Sequence, residues 1–112
     1  MLKIKRIYEE YSKSDGYRIL VDRLWPRGIS KEKARIDLWL KEIGPSNELR
    51  NWFGHEVEKW EGFQKKYENE LKSNPAFKTL QEIIKKERTV TILYGAKDPE
   101  HNQAEVLLNL LK

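Results

Sequence analysis

Charged and aromatic residues follow a short apolar run near the start of the chain. Residues 19–21 read Ile-Leu-Val, and residues 22–28 then read Asp-Arg-Leu-Trp-Pro-Arg-Gly. Pro26 fixes its own φ and lacks a backbone N–H, so a central strand cannot continue through it. In open α/β sheets, ligands usually bind at the carboxyl ends of the strands. The sequence therefore predicts a stiff functional loop that presents Asp22, Arg23, Trp25 and Arg27.

Two further segments carry polar side chains suited to the same site. Arg50 lies in a predicted short helix, His55 directly precedes the longest predicted helix, and a charged loop follows the apolar residues 89–94. Guanidinium and ammonium groups suit an anion such as phosphate or carboxylate, and a histidine can act as a general base near neutral pH. The candidate catalytic residues are Asp22, Asp98 and His101, and the candidate ligand-binding residues are Arg23, Trp25, Arg27, Arg50, His55, Lys97 and Asn102.

Several of these residues also have an ordinary structural explanation. Asp22 and Arg23 could pair with other charges and close the edge of the sheet. Trp25 has a large apolar ring that is often buried, and His55 could cap a helix. The sequence leaves both interpretations open.

The spacing of apolar residues predicts the elements that position the candidate site. Alternation over residues 35–40 favours a strand and leaves a helix open. The remaining pattern predicts strands over 2–8, 17–22 and 89–94, and helices over 31–34, 46–53, 56–72, 76–86 and 101–111. The first two strands form either an antiparallel hairpin or two separate parallel strands.

Parallel strands over 17–22, 35–40 and 89–94 would bring the candidate residues to one edge of the sheet. The prediction is an α/β fold: a single three-layer domain over residues 1–112, with a small, mostly parallel sheet covered by helices. Its carboxyl edge would form an electropositive crevice.

Composition narrows the classes of chemistry. The chain has 112 residues and no cysteine, which excludes disulfides, thiolate metal sites and cysteine nucleophiles. Its 22 basic and 18 acidic residues give a net charge of +4, which permits an anionic partner. No apolar leader or membrane-length apolar stretch is present, so we expect a soluble cytoplasmic protein without a membrane partner. No common nucleotide-loop or metalloprotease spacing occurs, and we predict no metal and no cofactor.

Several motifs resemble those of a known family. They are Val21–Gly28, Glu48–His55, Trp60 with Phe63 and Tyr67, Leu93–Asp98, and His101-Asn102. With these motifs the chain resembles the YeaO-like family of small uncharacterised bacterial and archaeal proteins, within domain-of-unknown-function family 488. The resemblance implies an α/β fold and no particular activity. Longer relatives carry cysteines near the last strand, and thiol chemistry there cannot transfer to this chain.

Three functions are consistent with the sequence. The first is an enzyme or binding domain for an anionic small molecule, a nucleotide or phosphorylated metabolite, held by Arg23, Arg27 and Lys97. The second is a nucleic-acid-binding module in which Trp25 stacks on an unpaired base. The third is an interaction protein with Trp25 and Trp52 in one exposed apolar patch. The sequence does not decide between catalysis and binding, and it leaves the oligomeric state open.

Overall fold

Four parallel strands form the centre of the computed structural model, which describes all residues from 1 to 112. The strands are β1 Leu2–Arg6, β2 Tyr17–Leu20, β3 Leu38–Trp39 and β4 Val90–Tyr94, in the spatial order β1-β4-β2-β3. Every neighbouring pair is parallel. The predicted α/β fold is confirmed, and the alternative of an antiparallel hairpin is wrong because β4 lies between β1 and β2.

Helices cover the two faces of the sheet unequally. The helices are α1 Lys31–Ala34, α2 Asn47–Phe53, α3 Trp60–Lys72, α4 Pro75–Lys86 and α5 Gln103–Leu111. Side chains alternate along β4, so Val90, Ile92 and Tyr94 join the main core formed with α2 to α5. Leu93 points to a smaller cluster under α1 and the neighbouring loops. None of the helices combines the length and the apolar character needed to cross a membrane.

The predicted helix over 56–72 begins later than the sequence indicates. Gly54 and His55 both have positive φ, 51° and 61°, and a 3-10 turn at Val57–Lys59 precedes α3. Val57, which fits the apolar stripe of the predicted helix, is 54% exposed. The first turn of the predicted helix is therefore wrong, because the left-handed backbone at residues 54 and 55 redirects the chain before α3 starts.

The glycine inside α3 allows a close contact between two helices. A Cβ on Gly62 would lie 2.8 Å from Cη2 of Trp52 on α2. The ammonium groups of Lys59 and Lys66 lie 5.3 and 5.1 Å from the centroid of the Trp52 ring. Glycine destabilises a helix by about 1 kcal/mol relative to alanine. At position 62 it also allows Trp52 to pack closely against α3.

Gly16 meets the backbone of a neighbouring segment directly before β2. Its φ is +67°, and a Cβ there would overlap the carbonyl oxygen of Thr89. We expect Gly16→Ala to lower the free energy of unfolding by about 2–3 kcal/mol, because strain at positive φ adds to an overpacking clash with backbone. Chemical denaturation measures the change.

Gly28 provides a matched control for that experiment. Its φ is +78°, but a Cβ there would meet nothing within 4 Å. Gly28→Ala should therefore cost only about 1 kcal/mol, from backbone strain alone. Equal losses in the two variants would contradict the proposed clash at Gly16.

Candidate functional site

A cleft of about 840 Å³ opens at the carboxyl ends of β1, β2 and β4. The loops that follow these strands form its floor and walls, together with the end of α2. Nine of the ten candidate residues line it: Asp22, Arg23, Trp25, Arg27, Arg50, His55, Lys97, His101 and Asn102. Asp98 does not line the cleft, but its carboxylate contacts the ring of His101, which does. The structure thus brings together residues from three distant parts of the chain.

The net charge of the chain is concentrated in this cleft. Five of the 22 Lys and Arg residues and one of the 18 Asp and Glu residues line it, which leaves 17 of each sign on the rest of the molecule. Both histidines of the chain also line the cleft. The excess of four positive charges is therefore local, and a concave surface focuses such a field.

Two of the cleft arginines fix the walls of the cleft. Arg23 donates from Nε to the carbonyl oxygen of Pro45 at 2.9 Å and from Nη2 to that of Gly44 at 2.7 Å. Arg6 donates from Nε to the carbonyl oxygen of Ala96 at 2.8 Å. Both guanidinium groups thereby hold neighbouring loops in place while adding positive charge to the cleft.

The other three cations keep most of their donors free. The side chains of Arg27 and Lys97 are exposed and make no hydrogen bond or ion pair within the protein, and Arg50 donates only from Nη1 to Asn47 at 3.1 Å. Free donors on cationic side chains suit the oxygens of phosphate or carboxylate. These three residues are the groups best placed to hold an anion.

Asp22 is the single acidic residue of the lining, and its carboxylate is held from two sides. Oδ2 accepts the N–H of Gly95 at 2.9 Å, and Oδ1 accepts from Nε2 of Gln103 at 2.6 Å. Burial raises the pKa of Asp22 to about 6, although these two hydrogen bonds and the charge of Arg50 favour ionisation. A Cβ on Gly95 would lie 2.7 Å from Oδ2, so glycine permits this close approach.

His101 is held in one orientation. Its Nδ1 lies 2.8 Å from Oδ2 of Asp98, and its ring is perpendicular to that of Trp60 with 5.2 Å between centroids. Hydrogen bonds from the N–H of Glu100 and from the His101 ring hold the pKa of Asp98 below its usual range. Nε2 of His101 makes no hydrogen bond within the protein, so this nitrogen can serve a ligand in the cleft.

The remaining candidate residues have clear structural partners. Asn102 caps α5, since Oδ1 accepts the N–H of Glu105 at 3.0 Å and Nδ2 donates to the carbonyl oxygen of Asp98 at 2.8 Å. Trp25 donates to the carbonyl oxygen of Ile29 at 2.8 Å and packs edge-on against Trp39. His55, exposed and at positive φ, has a backbone conformation in which histidine is enriched.

Arg6, Tyr8 and Gln103 are among the residues of the cleft that sequence reasoning missed. Arg6 ends β1 and Tyr8 follows it, so the rule that identified the loop after β2 applies to them equally. The sequence left open an antiparallel pairing of β1 and β2, in which the two strands would end at opposite edges of the sheet. The rule was therefore not applied to Arg6 and Tyr8. Gln103 is the first residue of α5, and only the packing of α5 beside β4 brings it to Asp22.

The lining of the cleft includes cationic, aromatic and amide side chains but few hydroxyl groups. The lining contains no serine, threonine or cysteine, and the phenol of Tyr8 is its only hydroxyl. No three His, Asp or Glu side chains lie together as metal ligands would. What the geometry offers is fixed positive charge, an aromatic side chain, an oriented imidazole and one buried carboxyl group.

The fold and cleft define a parallel α/β protein with a cationic cleft at the carboxyl edge of its sheet. The chain belongs to the family DUF488-N3i, described as the inactive DUF488-N3 subclade, whose model matches residues 1–112. The resemblance predicted from the sequence motifs is confirmed.

Bacterial relatives are similar over almost the whole chain. The uncharacterized protein YeaO of Escherichia coli is 46% identical over 112 residues, covering 99% of this chain and 96% of its own. Uncharacterized proteins of Mycobacterium bovis and Mycobacterium tuberculosis are each 36% identical over 110 residues, covering 98% of this chain and 92% of theirs. No solved structure matches the chain significantly.

Proposed function

We propose that the protein binds an anionic small molecule, a nucleotide or phosphorylated metabolite, in the cationic cleft. The observation that carries this proposal is the charge distribution, because the lining holds the whole net charge of +4 and the rest of the surface is balanced. Arg27, Arg50 and Lys97 would contact the anionic group. Arg6 and Arg23 would contribute charge from fixed positions.

Binding without turnover is the form of this function that we favour. The family description calls the subclade inactive, and the cleft has no serine, threonine or cysteine to act as a nucleophile. In this proposal His101 acts as a hydrogen-bonding group for the ligand, oriented by Asp98.

The two alternatives have less support. A nucleic-acid module that stacks a base on Trp25 needs a free ring face, whereas Trp25 packs on Trp39 and within a cluster of apolar side chains. A partner surface containing Trp25 and Trp52 requires both side chains to lie in one exposed apolar patch. Trp52 instead packs on α3 and is not part of the apolar cluster that contains Trp25. A concave cleft also suits a small ligand better than a polymer.

The first test is the loss of anion binding in Arg27→Gln. Inorganic phosphate and adenosine 5′-monophosphate are titrated into the protein by calorimetry. We expect the variant to bind its better ligand about ten-fold or more weakly, the usual effect of removing a charged hydrogen bond. The thermal midpoint without ligand should stay unchanged, because the Arg27 side chain has no partner in the protein.

Arg88→Gln is the matched control. Arg88 is also exposed, its side chain is also unpaired, and it lies outside the cleft. This variant should bind like the parent protein. Equal affinities in both variants, or tight binding confined to oligonucleotides and lost with added salt, would contradict the proposal.

A further inference from the structure

We propose that Tyr8 is a stacking surface for a planar aromatic ring, so that the ligand of the cleft is a mononucleotide. This inference rests on the proposed function and narrows its ligand class. A phosphorylated metabolite without an aromatic ring would bind the cationic side chains but would make no stacking contact with Tyr8.

Two contacts fix the ring of Tyr8 while leaving it accessible. The guanidinium carbon of Arg6 lies 4.5 Å from the ring centroid, and the phenol O–H donates to the carbonyl oxygen of Arg27 at 2.6 Å. The residue is nevertheless 40% exposed and lines the cleft. The bond to Arg27 also places the ring beside a residue proposed to hold the anion.

The backbone around Tyr8 is held as firmly as its ring. The N–H of Ile7 donates to the carbonyl oxygen of Tyr94 on β4 at 2.7 Å, and the N–H of Glu9 donates to the carbonyl oxygen of Arg6 at 3.0 Å. The Glu9 carboxylate accepts the N–H of Arg6 at 2.8 Å. A side chain already fixed in place loses little conformational entropy when a ligand stacks on it.

The cleft also exposes apolar surface that an anion alone would not use. Leu24 is 62% exposed and lines the cleft together with Tyr8. Covering such surface with a flat apolar ring is favourable, and bases stack on aromatic side chains without regard to sequence. A volume of about 840 Å³ lies within the usual range for small-molecule sites, so it accommodates a nucleotide.

The test compares two ligands that share a sugar phosphate. Adenosine 5′-monophosphate and ribose 5-phosphate are titrated into the parent protein, and we expect the nucleotide to bind about 5- to 150-fold more tightly. In Tyr8→Leu this ratio should fall to about one-fifth of the parent ratio or less. Binding of ribose 5-phosphate itself should change by less than about two-fold, since its contacts are to the cations.

Two further variants exclude indirect effects. Tyr11→Leu is the matched control, because Tyr11 is 38% exposed, lies 4.7 Å from the guanidinium carbon of Arg35, and is outside the cleft. It should keep the parent ratio. Tyr8→Phe keeps the aromatic ring and loses the hydrogen bond to Arg27. It should retain most of the preference for adenosine 5′-monophosphate over ribose 5-phosphate.

The outcomes separate this inference from the proposed function. Equal binding of both ligands to the parent protein overturns the stacking role and leaves the anion site intact. Binding of neither ligand overturns both. An unchanged ratio in Tyr8→Leu, an equal fall in Tyr11→Leu, or a uniform loss of both ligands in Tyr8→Leu also overturns the stacking role.

Discussion

We expect Arg18→Met to lower the free energy of unfolding by about 3–5 kcal/mol, because the change removes one partner of a buried ion pair and the donor to two carbonyl oxygens. Arg18 on β2 is 1% exposed. Its guanidinium group donates to the Asp15 carboxylate at 2.5 Å, to the Ala34 carbonyl oxygen at 2.7 Å and to the Arg35 carbonyl oxygen at 3.0 Å. Methionine fills similar space but leaves the carbonyl oxygens of Ala34 and Arg35 without a donor, and the Asp15 carboxylate keeps only its bonds from Lys5 and from the N–H of Ser12. Chemical denaturation measures the loss.

Lys3→Met is the control for that substitution. Lys3 on β1 also donates to a backbone carbonyl oxygen, that of Ser14 at 2.7 Å, but this bond is exposed to solvent. Water can replace it, so the loss should stay below about 0.5 kcal/mol. An Arg18→Met variant that loses less than about 1 kcal/mol would show that the buried cluster contributes little to stability.

The second large effect concerns the buried carboxyl group in the cleft. Burial raises the pKa of Asp22 from an ordinary value of 3.8 to about 6 in the folded protein. Between these two pH values the unfolded chain has released the proton and the folded protein keeps it. The stability contributed by the neutral carboxyl group is therefore complete below about pH 4 and is lost as the pH rises to about 6.

Asp22→Asn removes this dependence on pH. Asparagine can accept the N–H of Gly95, and Gln103 can turn its amide to accept from the new amide. We expect the stability of the variant relative to the parent to rise by about 3 kcal/mol between pH 4 and pH 7, from about two units of pKa. Denaturation of both proteins across this range measures the difference.

Asp98→Asn is the control, because the pKa of Asp98 is lowered whereas that of Asp22 is raised. Hydrogen bonds, first from the N–H of Glu100, hold the pKa of Asp98 below 3.8, so its stabilising effect is present above that value and is lost only in stronger acid. Its relative stability should change little between pH 4 and pH 7. A parallel response of the two variants would contradict the assignment of the effect to Asp22.

The titration of Asp22 also bears on the proposed ligand. Once ionised, this carboxylate opposes the charge of an anion in the same cleft. Arg50, Arg23 and Lys97 of the lining supply the opposite charge. If the proposed function holds, we therefore expect the protein to bind an anion most tightly when Asp22 is protonated.

Eight of the ten candidate residues could be predicted from the sequence because they follow buried strands. An apolar run that stops at charge and proline marks the end of a strand, and parallel strands share one carboxyl edge. That reasoning placed residues 22–27 and 97–102 together without a structure. It could not show that Arg23 donates to two carbonyl oxygens or that Asn102 caps α5, since such partners lie in other segments.

By itself, the sequence determined the α/β class, the approximate positions of most helices and strands, and the charge available for a site, because periodicity, turn residues and composition are local properties. The tertiary structure alone decided that β4 lies between β1 and β2, which carries Arg6 and Tyr8 into the cleft. It alone also decided which cations keep free donors. The physical reason is that burial and hydrogen-bond partners depend on contacts between distant segments, such as Gln103 with Asp22.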